Sequence, residues 1–69
     1  MFMIDRIDPH AQALAGWRDA EQLVCTRWDR FLEADAEARR FAFASYLAAL
    51  DAEEAAATEL ASLILNIAA

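Results

Sequence analysis

The stretch that decides the fold is Phe41–Ile67, FAFASYLAALDAEEAAATELASLILNI. It contains no glycine, no proline and no basic residue, and nearly every side chain in it favours a helix. Its large apolar groups are Phe43, Tyr46, Leu47, Leu50, Leu60, Leu63, Ile64 and Ile67. They recur at the i, i+3, i+4, i+7 spacing of a helix with one sticky face. The remainder of the chain has to cover that face.

One or two helices fit the stretch. Asp51-Ala-Glu-Glu54 has the form of a capping box, an acid at the N-cap with Glu three residues on. A continuous helix also places Glu53 within about 20° of Tyr46 and Ile64, in the middle of the apolar stripe. A carboxylate buried there without a partner is costly. The sequence therefore favours a break or kink near Asp51. From Leu60 to Ala69 only Ser62 and Asn66 are polar. A helix that is apolar on several sides wants several neighbours, and this run is the strongest indication of an interface.

Upstream, Asp8-Pro9 reads as a helix start. The Asp side chain can accept from free backbone N–H groups, and proline in the first turn loses no needed donor. Gly16 costs roughly 1 kcal/mol against alanine in a helix interior: it either ends a short helix over 9–15 or lets a neighbour pack closely against Trp17, and the sequence slightly favours a continuous helix with a kink there. Trp17, Val24, Trp28 and Phe31 fall within about 60° of arc, flanked by Leu14, Ala20, Cys25 and Leu32. Arg18, Asp19, Gln22, Asp29, Arg30 and Glu33 lie opposite. This is an amphipathic helix with an aromatic seam, and such a seam is more often core than interface. Leu23 lies off the stripe as a candidate for a secondary contact. Residues 33–38 (EADAEA) are the most polar run and the place for a turn, with Asp35 able to cap the next helix.

The expected fold is therefore all-α: a small helical hairpin or three-helix bundle. Its helices lie near 9–33, 36–50 and 52–67, the last two separate or continuous, in one domain over 1–69. Residues 1–8 form an apolar N-terminal arm carrying Phe2, Met3, Ile4 and Ile7.

Size turns this fold towards association. The chain has 69 residues, of which 59% are hydrophobic. So short a chain buries a small share of its surface. Cys25 is alone, which excludes an internal disulfide, and a single His excludes the usual structural zinc sites. Packing against copies of itself, or against another protein, is the remaining source of stability. The candidate partner interface is Trp17, Val24, Trp28 and Phe31 together with Leu60, Leu63, Ile64 and Ile67.

Chemistry finds little footing. The net charge is −6, and all six basic residues are arginines within residues 1–40. Nucleic-acid binding needs concentrated positive charge, so direct contact with nucleic acid is not expected. Glu21 on the aromatic stripe, and Glu53 or Glu54 in or near the second stripe, resemble the inward carboxylates of metal-binding bundles, but the Glu-x-x-His pairs of such sites are missing. No metal or other cofactor is expected. Cys25 has no acid–His pair beside it and reads as packing; His10 reads as an exposed first-turn residue, and no catalytic residue is assigned. The start MFMIDRIDP lacks the pattern of a signal peptide, and the apolar C-terminal run is about half the length of a spanning helix. A cytoplasmic protein without membrane contact is the expectation.

The sequence thus points to a small acidic protein–protein interaction module that self-associates through apolar helix faces. It would serve as an accessory subunit, adaptor or regulator, and not as an enzyme. The alternative is an inhibitor whose acidic surface imitates nucleic acid and blocks a basic site. A dense array of outward carboxylates would favour that alternative.

Overall fold

The computed structural model describes residues 8–68, which form two helices, α1 (Pro9–Glu33) and α2 (Arg39–Ala68). The apolar arm expected over residues 1–8 lies, except for Asp8, outside the described residues. The short connection 34–38 turns the chain back on itself, so the helices pack antiparallel as a hairpin.

Local chemistry sets the ends. Asp8 is the N-cap of α1, extended at φ −65° and ψ 129°, and its Oδ1 accepts from the His10 N–H at 3.4 Å. Pro9 supplies the first helical residue without sacrificing a donor. Gly16 does not interrupt the helix. α1 ends where Ala34 becomes extended (φ −70°, ψ 140°) and donates its N–H to the Phe31 carbonyl at 3.2 Å. Arg30 occupies the last turn, where a cation complements the helix dipole. Asp35 then accepts from the Ala38 N–H at 2.9 Å, closing the turn before α2. Asp35 thus caps the turn over residues 36–38 rather than α2 itself, which begins at Arg39 and not near residue 36.

The break expected near Asp51 is absent: α2 runs unbroken for 30 residues. The case for a break rests on an unpaired Glu53. Glu53 does lie half-buried on the inner side, but it has a partner. The Trp17 indole Nε1–H donates to Glu53 Oε2 at 2.9 Å. With its carboxylate satisfied, nothing in this alanine-rich stretch opposes continuity.

The seam between the helices follows a heptad rhythm. On α1 the half-buried side chains include His10, Ala13, Trp17, Ala20, Val24, Arg27 and Phe31, followed by Ala34 just past its end. On α2 they include Ala42, Tyr46, Glu53, Ala56, Leu60 and Leu63, with Ala49 buried among them. From His10 to Val24 and from Ala42 to Leu60 a small residue alternates with a larger one at steps of three and four. Alanine on both sides lets the backbones approach and leaves the larger side chains to fill the flanks. Even so, among the described residues only Ala49 is fully buried, at 2% exposure. The structure is only 12 Å deep in its smallest dimension, a single layer of helices where domains are usually built from two.

Candidate interaction face

The two sides of this layer differ. At about 100° per residue, Trp28, Leu14, Leu32 and Cys25 lie about 40–100° round α1 from Val24, all to one side. Tyr46, Ile64, Leu50, Phe43 and Leu47 lie about 60–160° round α2 from Ala49. The ring contacts show that these two arcs share one side of the hairpin. Trp28 stacks obliquely on Tyr46 with centroids 5.0 Å apart, and Phe31 on Phe43 at 5.4 Å. Trp28–Phe31 at 5.3 Å and Phe43–Tyr46 at 6.2 Å close a four-ring cluster near the loop. Tilted pairs at these separations are favourable beyond their area alone.

The cluster is open to water above. Trp28 is 39% exposed, Phe43 43%, Leu47 44% and Leu32 62%. At the other end of the same side Ile64 is 52% exposed. An aromatic side chain presents roughly 150–250 Å², so Trp28 and Phe43 alone leave on the order of 150 Å² of ring in solvent. With Leu32, Leu47, Leu50, Leu14 and Ile64 the patch reaches several hundred Å², the size that marks interaction sites on small proteins.

The reverse side is polar at its centre. Arg27 reaches across it, one guanidinium nitrogen donating to the Ser45 carbonyl at 3.1 Å and to Ser45 Oγ at 2.7 Å. This pins α1 to α2 with an arginine in a seam position. Near the open end, His10 Nε2 lies 3.2 Å from the Leu63 carbonyl. Since a carbonyl only accepts, the bond carries its proton on Nε2. His10 is therefore half-buried and ties the first turn of α1 to the end of α2, in place of the exposed position expected for it. Leu23 and the 83% exposed Phe41 lie on this reverse side, apart from the aromatic cluster.

The expected interface residues divide accordingly. Trp17, Val24, Phe31, Leu60 and Leu63 are half-buried in or beside the seam and hold the hairpin together. Trp28 and Ile64 face outward on the apolar side. The side chain of Ile67 lies outside the described residues. Phe43, Tyr46, Leu47, Leu50 and Leu32, read from sequence as parts of helical stripes, turn out to make up most of the open face. Only the antiparallel pairing, which brings Trp28 over Tyr46, gathers them into one patch.

Charge is scattered over the surface. Asp19, Asp29 and Glu33 on the outside of α1 alternate with Arg18 and Arg30, all exposed. On α2, Asp51, Glu54 and Glu59 point in three directions, about 60–80° apart at the nearest. There is no dense carboxylate array among the described residues. Nor do three His, Cys, Asp or Glu side chains gather there as a metal would require. Cys25 is a free, exposed thiol. No helix among the described residues is long and apolar enough to cross a membrane.

The fold and its open side define a helical hairpin with an exposed apolar and aromatic surface of the kind that meets a partner. No family model matches the chain, and neither a curated protein nor a solved structure is significantly similar to it.

Proposed function

We propose that this chain is a protein–protein interaction module that self-associates through its aromatic side and acts as an accessory subunit, adaptor or regulator in the cytoplasm, rather than as an enzyme. One observation carries this reading. The large rings and aliphatic groups of Trp28, Phe43, Leu47 and Ile64 stand open on one side of a layer one helix thick. Among the described residues there is no second layer of the kind over which helices ordinarily close. A second layer supplied from outside completes the core and removes the patch from water, at roughly 25 cal/mol per Å² covered.

The scattered acids and interleaved arginines give little support to mimicry of nucleic acid, which needs a concentrated negative field. The test is mass in solution by light scattering over a dilution series at neutral pH. The expected result is a dimer or higher species that persists on dilution to low micromolar concentration. A folded monomer at every concentration would refute self-association.

A further inference from the structure

We propose that two copies pack aromatic side to aromatic side about a two-fold axis parallel to the helices, so that each α1 lies on the partner's α2 and both loops are at the same end. This rests on the self-association reading above and adds its geometry.

The area suffices for a second copy. α1 has 25 residues and is about 37 Å long, and two adjacent helices present a width of about 20 Å. One side is thus about 700 Å² and a pair of sides about 1,400 Å², within the range of specific, stable interfaces.

A face-to-face dimer with full overlap has two simple arrangements. An axis across the helices runs the hairpins antiparallel and stacks α1 on α1 and α2 on α2. An axis along the helices runs them parallel and stacks α1 on α2. The charges at the rim of the patch discriminate between these. On α1, Arg18 lies about 120° from Val24, just beyond Leu14; on α2, Glu54 lies about 140° from Ala49, between Phe43 and Leu47. Both are exposed, and they sit on opposite outer edges of the same side. The Trp17–Glu53 bond fixes their level, because it sets the residues immediately before each of them opposite one another.

With the axis along the helices, Arg18 meets the partner's Glu54 within about one turn, and symmetry makes that pair twice. With the axis across the helices, the mid-points of the hairpins coincide. Glu54 then faces its own copy, and Arg18 its own, because the mid-point of α2 lies at the level of the Trp17–Glu53 bond. Like charges brought together in a desolvated interface are strongly unfavourable. The first arrangement also lays the loop-end aromatic cluster on its counterpart, and the aliphatic end of Leu14, Ala57 and Ile64 on its own.

The test places a spin label in the loop, at Ala36→Cys in a Cys25→Ser background, and reads the distance between labels in the assembled protein by dipolar spectroscopy. Loops at the same end give about 20 Å, and loops at opposite ends about 40 Å or more, one helix length. Arg18→Glu and Glu54→Arg are each expected to raise the dimer dissociation constant about tenfold, and the double variant to restore it. A dimer by light scattering with the long distance, or one tightened by Glu54→Arg alone, overturns the parallel arrangement and leaves self-association standing. A monomer overturns both.

Discussion

Trp17 and Glu53 decide whether the second helix can pass through its acidic middle, and the strength of their bond can be measured. The indole donates to the carboxylate at 2.9 Å. A hydrogen bond to a charged partner contributes roughly 1.5–3 kcal/mol when well buried. Both residues are only half-buried, so water competes for the carboxylate, and about 1 kcal/mol is the expected coupling. Trp17→Phe removes the donor and part of a packed ring, for a loss of about 2 kcal/mol in all. In a Glu53→Ala background the same substitution should cost about 1 kcal/mol, since only the packing term remains. The four proteins of this cycle are compared by urea unfolding monitored by far-ultraviolet circular dichroism, at one chain concentration because association adds to apparent stability. A coupling below about 0.3 kcal/mol, the level at which unconnected sites already agree, would refute the reasoning. The continuity of α2 would then rest on helix propensity alone.

The geometry sets four further outcomes. Gly16→Ala should raise the melting temperature by roughly 5 °C: a Cβ built there meets nothing within 4 Å, and helix propensity improves by about 1 kcal/mol. A fall in a thermal melt would show that something packs against Gly16. Asp35→Ala should cost about 0.5–1 kcal/mol by loss of the bond from the Ala38 N–H, with Asp35→Asn retaining most of it in the same melt. Ile64→Glu should lower the mass in solution while helix content persists, because Ile64 is 52% exposed on the open side. Leu63→Glu, half-buried beside the His10 contact, should lose helix content as well. Unchanged mass for Ile64→Glu would confine the interface to the aromatic end.

Much of the fold was legible because its signals are local. The Asp8-Pro9 start, the amphipathic rhythm through Trp17 and Phe31, and the acidic turn with Asp35 each act within a few residues. The continuity of α2 was not legible, since it depends on a partner for Glu53 that lies 36 residues away in sequence. The half-buried place of His10 depends in the same way on Leu63, 53 residues away. The open face escaped for a related reason. Periodicity identifies a stripe on each helix, but not how far round that stripe the other helix reaches. The alanines at Ala13, Ala20, Ala42, Ala49 and Ala56 occupy the line of contact. The larger groups beside them, Trp28, Phe43 and Leu47, are consequently left on the flank.

A layer 12 Å deep offers no backbone amide more than one side chain of shelter. In an isolated hairpin, fraying and wholesale opening would differ little in free energy, and exchange of amide hydrogens would be fast along both helices. Slow exchange and resistance to proteases must then be conferred from outside, by whatever occupies the aromatic side. On the proposed self-association, the survival time of this chain in a cell would track its own abundance: scarce copies would be open to digestion, and plentiful ones would shield each other.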